Sequence, residues 1–341
     1  MRSLGDPRTT VTASVLAVSA CTALLLGSLA WARAQSIEPA LLFLDSHRAP
    51  TVDEAAYAIL AEHSRDSQQP LDVLFIGDSA CSFGIDPAPL ERLTKLRSFN
   101  SGLTGSMGPD SFRLLLDNYL SHEPKPRLVV LCVSPFLCGV EAAAIDQGTG
   151  ARLLAAYGQS AASWGDRARF LAQRGALGLL DPGIDTRGLP IDGAATKTYW
   201  KIQTRLRRDR GFNRNIAGRA SGAVPAGPVI CDEWRRGVDR IAQSCARART
   251  PLLVIFAPID SELVASREWR ALDEWADDFQ SRHHGVRVER PIVVGYPANE
   301  LWDATKLNPR GVEHFMPAVA RKVENAWRDR ATRQTTDSPR E

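Results

Sequence analysis

A serine in a tight turn after an apolar run is the residue of this sequence best placed to do chemistry. Residues 71–77 read LDVLFIG, and their length and closing glycine favour a buried strand. Asp78 and Ser79 follow directly. A serine at a strand-to-helix turn can present its hydroxyl to a crevice, where backbone amides can hold an oxyanion. The alternative is that Ser79 only caps a helix, because serine is a favoured N-cap residue.

Asp303 and Lys306 lie three residues apart near the C-terminus, a spacing at which opposite charges can pair. A lysine without its proton can serve a serine nucleophile as the base. Removing that proton at pH 7 costs about 4.6 kcal/mol for an ordinary lysine, and a nearby carboxylate makes the removal harder. An Asp303–Lys306 ion pair is therefore the simpler expectation, and a Ser79–Lys306 dyad is the alternative.

Alternating strand and helix patterns are expected to position these residues. Strands are predicted at 71–77, 98–102, 128–133, 252–259 and within 286–294, and helices at 87–95, 110–121, 232–249, 268–284 and 311–328. The alternation indicates an α/β fold of three α/β/α layers, with a flavodoxin-like, mostly parallel sheet of five strands. Ligands bind beyond the carboxyl ends of such strands, where Ser79, Ser134 and Asp260 fall.

Three blocks, in this order along the chain, resemble the SGNH (GDSL) hydrolase superfamily. They are residues 74–79 (LFIGDS), 100–105 (NSGLTG) and 301–311 (LWDATKLNPRG). The LNPRG ending is similar to a form found in membrane-anchored members, some of them linked to acylation of cell-surface polysaccharides. The resemblance spans residues 72–320 but does not cover an insertion at about 139–230.

The resemblance implies a role for each residue at a matched position. Those residues are Ser79 as nucleophile, Gly77 and Asp78 as its turn, Gly105 as an oxyanion donor, Asp303 as the orienting acid, and Asn100 and Asn308 as substrate contacts. Two positions depart from the family pattern. Lys306 stands where the family has the catalytic histidine, and the third strand ends in Ser134 instead of an oxyanion asparagine, so Ser134 is the substitute donor. None of the six histidines matches the catalytic position; they are His47, His63, His122, His283, His284 and His314.

The N-terminus contains an uncharged apolar run at residues 11–31, close to the length of about 20 residues that crosses a bilayer. Arg2 and Arg8 precede the run, which predicts a cytoplasmic N-terminus and an exported remainder. A cleaved signal ending at Ala32-Arg33-Ala34 and a lipoprotein box ending at Cys21 are the alternatives. All three export residues 35–341.

The predicted organisation is a cytoplasmic end with a single transmembrane helix at 1–34, an entry segment at 35–69, the α/β domain at 70–329, and a disordered tail at 330–341. Within the insertion, the arginine-rich run at 205–219 is expected to be either a solvated or membrane-facing surface, or an anion-recognising one. If the domain is exported, Cys138 could pair with Cys231 or Cys245.

Charge and composition limit the classes of partner and cofactor to expect. Lys+Arg total 42 and Asp+Glu 39, a net charge of +3 that gives no reason to expect nucleic acid. No cysteine or histidine spacing predicts a metal, and no organic cofactor is implied. Two functions are therefore expected: an exported ester hydrolase or O-acyltransferase acting on cell-surface glycan or lipid, or a catalytically impaired binding or scaffold module in an envelope complex.

Overall fold

The computed structural model describes residues 70–103, 108–121, 124–136, 201–202, 204–213 and 230–336, and short helical pieces within 18–28 and 56–64. The chain divides into two compact units, one of Met1–Pro50 with Gln159–Trp200, the other of Thr51–Gly158 with Lys201–Glu341. Every helix and strand labelled below belongs to the second unit.

The strands form one main sheet and two small ones. The strands are β1 (Val73–Gly77), β2 (Ser98–Gly102), β3 (Leu128–Val133), β4 (Leu252–Phe256), β5 (Ile259–Asp260), β6 (Val286–Val288), β7 (Gly295–Tyr296), β8 (Leu301–Asp303) and β9 (Lys306–Leu307). The main sheet has the order β2-β1-β3-β4-β6, and all of its strands are parallel. This confirms the predicted five-stranded parallel sheet. The predicted strand at 252–259 stops at Phe256, and Ile259–Asp260 pairs separately with β7.

Helices cover the sheet in two layers. They are α1 (Ser79–Gly84), α2 (Pro87–Thr94), α3 (Gly108–Ser121), α4 (Asp232–Ala248), α5 (Ser261–Ser266), α6 (Arg270–Arg282) and α7 (Pro309–Thr336). Helices α3, α4 and α6 share one layer, where α4 packs on α3 and the Trp234 ring lies 4.7 Å from that of Trp275. Helices α2 and α7 pack together in the other layer, over a core that includes Phe75 and Val319.

The last helix is longer than the sequence pattern predicts. The helical pattern was expected to end at 328 and a disordered tail to begin at 330, but α7 continues to Thr336. Residues 329–336 contain neither glycine nor proline, so no residue there breaks the helix. At its start, Pro309 suits a first helical position, and the Asn308 side chain accepts a hydrogen bond from the Gly311 amide at 3.0 Å.

The described part of the arginine-rich run lies along the free edge of β2. The Asn100 amide donates to the Arg210 carbonyl at 2.9 Å, and the Asn213 amide donates to the Ser82 carbonyl at 3.0 Å. Gly211 has a φ of +87°, and a Cβ there would lie 1.6 Å from the Asn100 carbonyl oxygen. Covering an edge strand in this way hides its unpaired backbone groups. The segment at 209–213 therefore has a structural role, covering the edge of β2, that its charge did not indicate.

The N-terminal segment and the cysteines give two further results. Residues 18–25 and 27–28, inside the predicted anchor, are helical. Within the described ranges, no helix is both long and apolar enough to span a membrane. Cys231 is in a disulfide. Cys245 is a free, buried thiol, so the alternative pairing of Cys138 with Cys245 is wrong. Cys138 lies outside the described residues.

Candidate functional site

The turn after β1 begins with a glycine that no other residue can replace without a shift of the backbone. Gly77 has a φ of +150°, and a Cβ at this position would lie 1.8 Å from the carbonyl oxygen of Cys132 in β3. Such a distance is far inside van der Waals contact. The close approach of β1 to β3 therefore fixes where the chain turns toward Ser79.

Asp78 ties this turn to the end of the neighbouring strand. One carboxylate oxygen accepts from the Ala80 amide at 2.9 Å and caps α1, and the other accepts from the Ser134 amide at 3.0 Å. The residue is 2% exposed. Burial raises the pKa of Asp78 to about 6, although the amides of Ala80 and Ser134 and the charge of Lys306 act in the opposite direction. The carboxyl ends of β1 and β3 are thus joined through one buried acid.

Ser79 is the first residue of α1 and is partly exposed. Among the described residues, nothing accepts from its amide, and its hydroxyl makes no hydrogen bond. The nearby amides of Ala80 and Ser134, in contrast, both donate to the Asp78 carboxylate. Ser79 therefore presents both an uncommitted hydroxyl and an uncommitted N–H at the carboxyl edge of the sheet.

Asn100 holds α1 in place through hydrogen bonds of its side chain. It is 0% exposed, and its amide nitrogen donates to the carbonyls of Cys81 at 2.9 Å and Ile85 at 2.8 Å. Its oxygen accepts from the Gly102 amide at 2.8 Å and from the Cys81 thiol at 3.3 Å. These bonds hold the helix that begins at Ser79. The substrate contact predicted for Asn100 would require some of them to open.

Asp303 and Lys306 face each other across the antiparallel β8–β9 hairpin and form an ion pair. The other Asp303 oxygen accepts from the Thr305 amide at 2.8 Å and its hydroxyl at 3.1 Å. The Lys306 ammonium also lies 5.3 Å from the centre of the Trp302 ring. The ion pair expected from the sequence is present. Strand β9 packs against α1, so the pair lies on the side of the molecule that carries Ser79.

Two other predicted residues, Ser134 and Asn308, take part in local structure. The Ser134 amide is committed to Asp78, and its hydroxyl oxygen accepts from the Phe136 amide at 3.3 Å. The Asn308 side chain caps α7 and also donates to the Asn299 carbonyl at 2.9 Å. Gly105 lies outside the described residues. Both described side chains therefore brace the edge at which Ser79 lies.

A histidine–carboxylate pair near the hairpin was not predicted. His314 Nδ1 lies 2.8 Å from a carboxylate oxygen of Glu300, and its ring stacks on Tyr296 with centroids 4.8 Å apart. Glu300 is 8% exposed, whereas the His314 side chain is 64% exposed. The pair joins the first turns of α7 to the base of the hairpin. A buried glutamate fourteen residues from an exposed histidine leaves no periodic signal in a sequence.

The arrangement supplies an uncommitted hydroxyl and amide at Ser79, and a lysine on the same side of the molecule that is already paired with Asp303. In the described part of the chain, no group of three or more His, Cys, Asp or Glu side chains is placed to hold a metal ion. The chemistry that these residues support is attack by the Ser79 hydroxyl on a polarised carbonyl, with the oxyanion held by backbone N–H.

Comparison with known proteins adds little to this geometry. No family model matches the chain, and no curated protein matches it. One solved structure, from Streptococcus pneumonia and provisionally described as a platelet activating factor, aligns with 81% of this chain and 91% of its own. The identity is 13% and the TM-score 0.38, a likeness too weak to carry an argument. The α/β fold itself follows from the parallel sheet and its helical layers.

Proposed function

We propose that the chain is an exported serine esterase or O-acyltransferase of the SGNH kind, acting on an acyl ester of a cell-surface glycan or lipid. One observation supports this more than any other. Asp78 accepts from the Ala80 and Ser134 amides, while the hydroxyl and the amide of Ser79 have no partner in the described part of the chain. A nucleophile and an oxyanion donor are thus offered together.

In the proposed reaction, the Ser79 oxygen attacks the acyl carbonyl carbon and the ester bond to the alcohol breaks. The hydroxyl proton passes through the base to the leaving alkoxide, so an alcohol departs and an acyl-serine remains. Water, or the hydroxyl of an acceptor sugar or lipid, then takes the acyl group and restores Ser79. The Ser79 amide holds the oxyanion in both steps, joined by the predicted Gly105 amide.

Lys306 is the proposed base, and its ion pair with Asp303 limits it. An ammonium must lose its proton before it can accept one from Ser79, and the Asp303 carboxylate favours the charged form. We therefore expect slow turnover. Lys306→His places an imidazole at the position, and Asp303 would favour its charged form after proton transfer. We expect this variant to hydrolyse p-nitrophenyl acetate faster than the wild type, and Lys306→Met to be slower than either.

The direct test uses the full-length chain in detergent with p-nitrophenyl acetate. We expect hydrolysis by the wild type and a loss of at least about 10²-fold in Ser79→Ala, because removal of a serine nucleophile can cost on the order of 10⁶-fold. Ser82→Ala is the matched control, because Ser82 lies one turn along α1 and is mostly buried. Equal rates in the wild type and in Ser79→Ala would overturn the proposal.

A non-catalytic binding module is the second candidate. The Asp303–Lys306 ion pair favours it, because these two side chains already satisfy each other and neither is bonded to Ser79. Such a module would keep the fold but would not react at Ser79 with a fluorophosphonate. Labelling of Ser79 therefore separates the two candidates.

Export of residues 35–341 is part of the proposal. The uncharged run at 11–31, with Arg2 and Arg8 before it, supports a single membrane crossing with the N-terminus in the cytoplasm. The disulfide at Cys231 supports an oxidising compartment for the domain. A thiol-reactive, membrane-impermeant maleimide tests this in intact cells. A cysteine placed in the exposed part of α6 should be labelled without lysis, and labelling only after lysis would contradict export.

A further inference from the structure

A groove of about 670 Å³ lies between α2 and α7 and reaches Phe83 of α1, the helix that begins at Ser79. This volume is within the range of roughly 300–1,000 Å³ in which proteins bind small molecules. Most of its walls are apolar, from Phe83, Leu93, Phe212, Leu307, Val312 and Met316 among others. The proposed chemistry does not use this space.

Five polar residues line the groove: Asp86, Arg92, Asn213, Asn308 and Glu313. The Asn213 amide donates to the Ser82 carbonyl at 3.0 Å. Asp86 caps α2 by accepting from the Ala88 amide at 3.0 Å, and Asn308 caps α7. Arg92 and Glu313 are exposed, and within the described ranges neither side chain has a hydrogen-bond or ion-pair partner. A sugar needs donors and acceptors along its whole contact, since a polar group buried without a partner is costly. The walls therefore suit a hydrocarbon better than a glycan.

The exposure of Leu93 is a second indication that the groove binds an apolar chain. It is 51% exposed, and the other exposed large apolar side chains among the described residues all lie within residues 18–25. A single exposed leucine on a surface needs no explanation. This one lies on the wall of the groove, where a bound chain would cover it.

The position of α1 connects the groove to the nucleophile. Ser79 and Phe83 are four residues apart in α1, so they lie on one face of the helix, about 6 Å apart along its axis. Phe83 lines the groove, and so does Leu307, the neighbour of Lys306. An acyl group bound at Ser79 can thus extend along α1 and enter between Phe83 and Leu307.

We propose that this groove holds the hydrocarbon tail of the acyl group, which makes the substrate a medium- or long-chain fatty-acyl ester and not an acetyl ester. The inference rests on the proposed function of Ser79. It assigns Leu93 and the facing surface of α7 to chain-length specificity. Short acyl groups would stop before the mouth of the groove.

The first test compares p-nitrophenyl decanoate with p-nitrophenyl acetate on the full-length chain. Each methylene removed from water is worth about fourfold in binding, so we expect kcat/KM for decanoate to exceed that for acetate at least about tenfold. Leu93→Asp, which puts a charge on the wall, should lower this ratio about tenfold. Ala271→Asp is the control, because Ala271 is exposed on α6 in the opposite layer, and it should leave the ratio unchanged.

The second test measures binding without turnover. A dansyl-labelled undecanoic acid is titrated into Ser79→Ala, into Ser79→Ala with Leu93→Asp, and into Ser79→Ala with Ala271→Asp. We expect saturable binding that the Leu93 change weakens about tenfold and the Ala271 change does not. Hydrolysis of acetate without preference for decanoate, or probe binding insensitive to Leu93→Asp, would overturn the proposal that the groove holds the acyl tail. Probe binding that depends on Leu93 in a protein that hydrolyses neither ester would support the groove and contradict catalysis by Ser79.

Discussion

Two regions of the molecule supply the predicted catalytic residues, and they differ in how far their polar groups are already committed. At the end of β1, the neighbouring amides bond to Asp78 and leave Ser79 without a partner in the described part of the chain. In the β8–β9 hairpin, Asp303 and Lys306 satisfy each other. The presentation of the proposed nucleophile and its activation are therefore separate questions in this fold. The turn presents the Ser79 hydroxyl, whereas the proposed activation by Lys306 requires the hairpin to release its ion pair.

The largest effect is expected where the turn is sterically fixed. Gly77→Ala places a methyl group 1.8 Å from the Cys132 carbonyl oxygen at a φ of +150°, so we expect a loss of about 4 kcal/mol or more in the free energy of unfolding. Urea unfolding followed by tryptophan fluorescence measures it. Gly84→Ala is the control, because its methyl group would meet Leu307 at an ordinary 3.7 Å. Equal losses in the two variants would contradict the account of the turn.

The buried acid of the turn predicts a pH dependence. Burial raises the pKa of Asp78 to about 6, above its value in the unfolded chain, so the folded state holds a proton between about pH 4 and 6 that the unfolded state has lost. The resulting stabilisation is full below pH 4 and disappears as the pH rises through 6. We expect the stability difference between wild type and Asp78→Asn to shift against the wild type by about 3 kcal/mol from pH 4 to pH 7.

Unfolding of both proteins across this range measures the shift. Asp86→Asn is a suitable comparison, because Asp86 also caps a helix and its carboxylate accepts from the Ala88 amide at 3.0 Å. A stability difference between wild type and Asp78→Asn that does not change with pH would show that the carboxyl of the turn does not titrate as described.

The hairpin should show a smaller effect. In a double-mutant cycle of Asp303→Asn and Lys306→Met, we expect a coupling energy of about 1 kcal/mol, because both side chains are largely buried, at 10% and 22% exposed. The exposed pair Arg270–Glu274, with exposures of 86% and 64%, is the comparison and should couple by about 0.3 kcal/mol. Equal coupling energies in the two pairs would contradict the conclusion that Asp303 binds Lys306 more strongly than an exposed ion pair would.

The smallest effect on stability is expected at the nucleophile itself. The Ser79 hydroxyl makes no hydrogen bond in the described part of the chain, so Ser79→Ala should change the free energy of unfolding by less than about 0.5 kcal/mol. A loss above about 1.5 kcal/mol would mean that Ser79 has a structural partner, as a helix cap would.

Much of the scaffold follows from the sequence. The strands at 98–102 and 128–133 were predicted to the residue. Residues 128–133 form a short apolar run introduced by Pro126, and such a run allows few other structures. The Asp303–Lys306 ion pair was also expected, because a nearby carboxylate favours the charged form of a lysine. These are local features, and local composition is what a single sequence records.

The long-range contacts could not be predicted. The bond from the Ser134 amide to Asp78 joins two strand ends, and the cover of β2 by residues 209–213 crosses more than a hundred residues of sequence. The same holds for Asn100, whose four bonds depend on the place where α1 begins and ends. A residue type shows what a side chain is able to bond, but only the packing of the sheet decides its partner.

Reaction of the full-length chain with a fluorophosphonate, read by mass spectrometry of the labelled peptide, tests the central claim most directly. The probe needs an activated serine and an oxyanion site but no particular substrate. We expect one label per chain, on Ser79, and none on Ser79→Ala. A folded wild-type protein that remains unlabelled would contradict catalysis and leave the chain as a binding module on the same fold.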